Sequence, residues 1–171
     1  GLFPDVGGSW FLPRLPGEIG MYLAMTGARL MAADCVHAEI CDAYVPNDRH
    51  EALVAALRDG VKIHDAMQEF STDPGPAPLA EIRKAIDRCF SSDSVEAIGS
   101  ALAAEGSEWA QKQLSIMAGK SPTSQKISFR QLREGAEITF DACMIMEYRM
   151  TQRLMEGGDF FEGVRAVVID K

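Results

Sequence analysis

From Leu79 to the end of the chain the apolar residues recur three and four positions apart and never alternate. That regularity confines more than half of the polypeptide to helices. Leu79, Ile82, Ile86 and the pair Cys89-Phe90 fall on one face. Asp93 with Glu96 opens a second segment bearing Val95, Ile98 and Leu102, which stops near Gly106. Ser107 opens a third with Trp109, Ala110, Leu114 and Met117. Ser121-Pro122 is a cap followed by a first-turn proline, and the helix it starts runs through Ile127 and Leu132 to Gly135. Glu137 to about Glu156 reads as the longest helix, with Ile138, Ala142, Ile145 and Tyr148 toward a core, and Gly157-Gly158 stops it. Asp159 with Glu162 caps a last short helix, Phe160 to about Val168. The expected fold class is mainly α, with at most one or two short strands.

Upstream, Ser71 to Pro78 contains Pro74, Pro76 and Pro78 in alternation, which favours an extended linker. Asp48 with Glu51 has capping-box spacing, and Leu53, Ala56, Leu57, Ile63 and Met67 continue it as one stripe. Gly60 interrupts that stripe at a cost of about 1 kcal/mol relative to Ala. Cys41 to Val45 reads as a brief extended piece closed by Pro46-Asn47, and a short helix precedes it through about Ala38. Gly17 to Met25 reads as a helix with Ile19, Tyr22 and Leu23 on one face and Gly27 as a left-handed cap. Three regions follow: 1–46, 47–78 and 79–171.

The opening residues, Gly1 to Pro16, are different in kind. One acid, Asp5, stands in an otherwise apolar run, directly before Val6 and the pair Gly7-Gly8, with Pro4 and Pro13 fixing φ on either side. A carboxylate enclosed by Leu2, Phe3, Trp10 and Phe11 would sit in a low dielectric, a setting that shifts carboxylates and favours chemistry. Asp is equally a preferred helix cap. Local chemistry leaves both readings open.

Composition removes several classes. A formal net charge of −8 without a basic cluster argues against nucleic acid. No apolar run approaches the roughly 20 residues of a membrane span. Cys35, Cys41, Cys89 and Cys143 form no Cys-x-x-Cys pair, so no metal site is expected, and they read as small core residues in a reducing compartment. His37, His50 and His64 have no partner spacing and read as surface residues. Met144, Met146, Met150 and Met155 read as adaptable core.

Gly1-Leu2-Phe3-Pro4-Asp5-Val6-Gly7-Gly8 followed by Phe11-Leu12-Pro13-Arg14-Leu15 resembles the active-site segment of the crotonase (enoyl-CoA hydratase/isomerase) superfamily. An acid at Asp5 is the pattern of its thioester-hydrolase branch. Cys89-Phe90-Ser91, Ser121-Pro122-Thr123-Ser124, Met146-Glu147-Tyr148-Arg149 and Asp159-Phe160-Phe161-Glu162-Gly163-Val164-Arg165 resemble the C-terminal half of that branch. Glu39 departs from the family, which usually has Gly there to end the preceding helix. The resemblance implies the C-terminal helical part of a crotonase-like α/β fold. It implies an acyl-CoA thioester hydrolase of branched-chain (valine) catabolism, with Asp5 as a catalytic acid and Phe3, Pro4 and Gly8 at the acyl pocket. Coenzyme A is then part of the substrate and no separate cofactor is needed. The family's oxyanion-hole donors and second catalytic Glu lie upstream of Gly1, so the expected partner is the N-terminal half of the same enzyme, and the chain alone is expected not to turn over. The family reading leaves Phe160, Phe161 or Lys171 as residues near coenzyme A, with capping and packing as the plainer account of their segment. A homo-oligomer is open, and no membrane partner is expected. The implied compartment is the mitochondrial matrix, or the cytoplasm of a bacterium. A hydratase or isomerase on the same fold, and a non-catalytic helical assembly module, are the competing readings.

Overall fold

In the computed structural model, which describes residues 2–170, four helices begin on a side-chain cap. The hydroxyls of Ser94, Ser107, Ser121 and Thr139 accept hydrogen bonds from the N–H groups of Ala97, Ala110, Ser124 and Ala142 at 3.0–3.3 Å. Each satisfies one of the donors a helix start leaves open. Two of these caps displace the expected ones. Ser94 takes the place of Asp93, and Thr139 starts its helix beyond Glu137.

Two compact units make up the chain, Leu30–Ile82 and the remainder. The larger unit opens with α1 (Gly8–Phe11), a 3-10 turn (Leu12–Arg14) and α2 (Ile19–Thr26). Gly27 ends α2 in the left-handed region at φ 66°, as its position predicts. In the smaller unit α3 (Ala32–His37) is followed by Glu39 at φ 57°. Glu39 thus leaves α3 through the left-handed region that favours Gly. Buried Asp34 ties this unit together, accepting hydrogen bonds from the N–H groups of Met31 at 3.2 Å and Leu79 at 2.8 Å. The expected stripe from Leu53 to Met67 is two helices, α4 (His50–Arg58) and α5 (Ile63–Phe70), because Gly60 turns the chain at φ 88°. The capping box at Asp48 is not formed, since a 3-10 turn (Asn47–Arg49) occupies its place. Tyr44 and Thr72 form an isolated antiparallel bridge, the one extended pairing among the described residues.

The proline-rich stretch ends where α6 (Pro78–Phe90) begins. Then follow α7 (Val95–Glu105), α8 (Glu108–Ala118), α9 (Pro122–Gly135), α10 (Phe140–Met155), α11 (Asp159–Val164) and a π turn (Arg165–Ile169). The mainly α class holds. The core of the larger unit is built on fully buried Ile19, Met25, Ile86, Phe90, Ile98, Leu102 and Leu132, with Tyr22 edge-on to Phe90 at 5.5 Å. Burying side chains of this size stabilises by about 1.5–3 kcal/mol each.

Two expectations about packing fail. On α10, Ile145 and Tyr148 are 52% and 66% exposed, while Cys143 and Glu147 are buried. The inward stripe lies one step away from the most apolar one because a carboxylate there has donors to meet. Cys35 is half-buried and Cys41, outside any helix, is exposed, so only Cys89 and Cys143 are core residues. All three histidines are exposed as expected.

Candidate active site

Around Asp5 the backbone makes a tight reversal. The Gly8 N–H donates to the Asp5 carbonyl at 2.9 Å, with Val6 at φ 53° and Gly7 at φ 91° between them. Gly7 takes its angle freely, but Val6 is a β-branched residue in a region such residues avoid. Holding it there costs on the order of 1–3 kcal/mol. Val6 is 91% exposed and Asp5 is exposed beside it, so the two form the tip of the turn.

What holds the turn lies 140 residues away. Glu147, 5% exposed, reaches from α10 to accept hydrogen bonds from the N–H groups of Gly7 and Ser9, both at 3.0 Å, and from the Ser9 hydroxyl. Hydrogen bonds to an ionised acceptor are about twice as strong as neutral ones. Glu147 thus does what a cap residue would do for α1, whose own N-cap position, Gly7, has no side chain to do it. The capping account of Asp5 therefore fails. Among the described residues no hydrogen bond engages the Asp5 side chain, and the job it would have had is filled by another carboxylate.

Further contacts fix both flanks. The Gln131 amide on α9 donates to the Pro4 carbonyl. Gly135 passes so close that a Cβ there would lie 2.1 Å from the Ser9 carbonyl oxygen. Arg14 lies over the Trp10 ring at 3.1 Å and donates to the carbonyls of Trp10, Gly135, Ala136 and Ile138 at 2.7–3.2 Å. It satisfies open carbonyls beyond α9 and binds that helix end to α1.

Phe3, 5% exposed, is part of the core, whereas Pro4 and Gly8 are half-buried. Gly8 faces Pro4 so closely that a Cβ would meet the proline ring at 2.8 Å. The apolar enclosure expected around Asp5 from Leu2, Phe3, Trp10 and Phe11 is not formed, since Asp5 is exposed. Pulling the Gly7 and Ser9 amides inward onto Glu147 leaves Asp5 and Val6 at the outer edge of the turn. Two hollows in this unit do not include Asp5. One, of about 800 Å³, runs along α10 past Ile138, Ile145, Met146 and Arg149. The other, of about 640 Å³, is lined by Leu2, Lys120, Ser121, Ser128 and Asp159. Among the described residues no group of His, Cys, Asp and Glu is placed to hold a metal ion.

An acid-bearing turn pinned by a remote helix, on a mainly α framework, is the setting in which the comparisons with known proteins fall. The chain belongs to the enoyl-CoA hydratase/isomerase family, whose model matches residues 1–171. Within it, the chain is 44% identical to the mitochondrial 3-hydroxyisobutyryl-CoA hydrolase of Xenopus tropicalis and 42% identical to that of Homo sapiens, over 100% of its own length and 47% of theirs. A carnitinyl-CoA dehydratase structure from Mycobacterium thermoresistibile superimposes with a TM-score of 0.91 at 32% identity, covering 98% of this chain and 49% of that one. An enoyl-CoA hydratase from Rhodobacter sphaeroides does so with 0.87 at 32%, covering 99% and 49%. The chain spans about half the length of the curated relatives it matches.

Glu147, Gln131, Gly135 and Arg14 were not legible as a group in the sequence. The one available signal for Glu147 was its place in the Met146-Glu147-Tyr148-Arg149 motif, where it reads as a packing or ion-pair residue.

Proposed function

We propose that this chain supplies the acid-bearing half of an acyl-CoA thioester hydrolase acting on 3-hydroxyisobutyryl-CoA in valine breakdown. The observation that carries the reading is the identity of 42–44%, along the whole chain, to relatives named for that hydrolase. The geometry supports it in one respect: Asp5 has no structural task of its own, on a turn that is strained and pinned from elsewhere. In this reading Asp5 orients the substrate hydroxyl and assists proton transfer. Pro4 and Gly8 border the acyl group, with Phe3 packed behind them. The oxyanion donors and a second carboxylate come from the half of the enzyme that this sequence does not contain. That half also closes over Asp5 and excludes water. The relatives are named mitochondrial, and the compartment in this reading is the mitochondrial matrix, or the cytoplasm of a bacterium. Coenzyme A enters only as part of the substrate.

The test is release of free thiol from 3-hydroxyisobutyryl-CoA by the full-length polypeptide that carries this sequence. A thiol reagent reads it above the blank from exposed Cys41. Steady release supports the hydrolase. Hydration of crotonyl-CoA with no thiol released replaces it by a hydratase.

The exposure of Asp5 favours one other reading, a helical assembly module without catalysis. It requires that the full-length polypeptide bind no acyl-CoA, which equilibrium dialysis with the same thioester decides.

A further inference from the structure

We propose that Glu147 is a positioning residue for Asp5. The inference rests on the hydrolase reading for its catalytic consequence, and on geometry for the rest. With no hydrogen bond to its own side chain among the described residues, Asp5 takes its place from the backbone alone. That backbone is pinned on both sides. Gln131 holds the Pro4 carbonyl, one residue before. Glu147 holds the Gly7 and Ser9 amides, two and four residues after. The turn cannot hold itself, because its single internal bond, Gly8 N–H to the Asp5 carbonyl, spans a Val6 at φ 53°. Strained backbone persists only where the surroundings over-determine it.

The choice of residue at 147 is also specific. Three donors converge on its two oxygens, the Gly7 and Ser9 N–H groups and the Ser9 hydroxyl. Only an acceptor with no hydrogens of its own meets all three. Gln is nearly the same size, but whichever way its amide is turned, an NH2 group faces a backbone N–H. A helix residue whose part was packing alone would tolerate Gln. A residue that fixes the tip would not.

Glu147→Gln and Ser9→Ala, each alone and combined with Asp5→Asn, test this in the full-length polypeptide. Expected for Glu147→Gln is a kcat at least tenfold lower for thiol release, with KM within about twofold. Ser9→Ala, which removes one of the three donors and folds with the others in place, is expected to lower kcat severalfold. In the Asp5→Asn background neither change lowers kcat further, because Glu147 acts through Asp5. A wild-type kcat in Glu147→Gln, or an equal further loss in the Asp5→Asn background, overturns the proposal.

Amide hydrogen exchange separates this outcome from failure of the hydrolase reading. Glu147→Gln should speed exchange at Gly7 and Ser9 at least tenfold and leave Phe90 and Leu132 unchanged. If the wild-type enzyme releases no thiol, the hydrolase reading falls and exchange alone decides. Unchanged rates at Gly7 and Ser9 then overturn the positioning role as well.

Discussion

Val6 carries the strain of the opening turn, at φ 53° and 91% exposed. Replacing it by Gly removes the Cβ that makes this region costly and forfeits almost no packing. Against this stands the greater freedom Gly gives the unfolded chain, about 1 kcal/mol. Val6→Gly is therefore expected to leave stability unchanged or raise it by up to about 2 kcal/mol, read from urea denaturation midpoints. A loss above 1 kcal/mol would mean that Val6 is not strained. Asp5 gives the complementary case. It caps nothing and is exposed, so Asp5→Asn should shift the melting temperature by no more than a degree or two. Turnover of the full-length enzyme should fall by about 10²-fold or more, the usual scale of a lost acid–base group. Parallel losses of stability and activity would return Asp5 to a structural role. The sequence showed Asp5 and the glycine pair because their signal is local: an acid, two adjacent glycines and flanking prolines within sixteen residues. It did not show Glu147, because nothing near position 147 indicates that its partners are 138 and 140 residues away.

Helix α10 shows where periodicity stops being informative. Its existence followed from spacing and from the glycines after it. Its inward face did not: the expected stripe turns Ile145 and Tyr148 outward, and the buried positions are Cys143 and Glu147. On α9 the buried face includes Ser124, Gln125, Ser128 and Gln131, which hydropathy alone assigns to solvent. Stability measurements on single variants can check this assignment. Ile145→Ala is expected to cost less than about 0.5–1 kcal/mol, whereas Leu132→Ala, at a site 1% exposed, should cost about 2–5 kcal/mol. Equal costs would restore the original face. The cysteines test burial independently. Burial raises the Cys89 thiol above its ordinary range and leaves less thiolate near pH 8. Exposed Cys41 should therefore react with a thiol reagent in the native protein. Cys89 should wait for unfolding. The sign also sets a pH trend. A raised thiol favours the protonated folded state, so this contribution is complete below the ordinary thiol range. It is lost as pH climbs through the raised value.

Across the whole molecule, burial is divided unevenly. In Leu30–Ile82 the buried side chains are Ala33, Asp34, Ala38, Ala66 and Leu79, so three of the five are alanines. The other unit buries Ile19, Met25, Ile86, Phe90, Ile98, Leu102 and Leu132 completely. Large buried side chains contribute about 1.5–3 kcal/mol each and alanine far less. The helices of the smaller unit should accordingly open at lower free energy than those of the larger one. Amide exchange in the 171-residue chain is expected to run at least a hundredfold faster in α4 and α5 than in α9. Asp34 has a defined share in this, since it accepts from both the Met31 and Leu79 amides. Asp34→Ala leaves those donors without their carboxylate, so exchange at Met31 and Leu79 should rise further while Phe90 stays protected. If α4, α5 and α9 exchange at one common rate, the chain opens as a single cooperative body, and the contrast between small and large buried side chains does not govern its local stability.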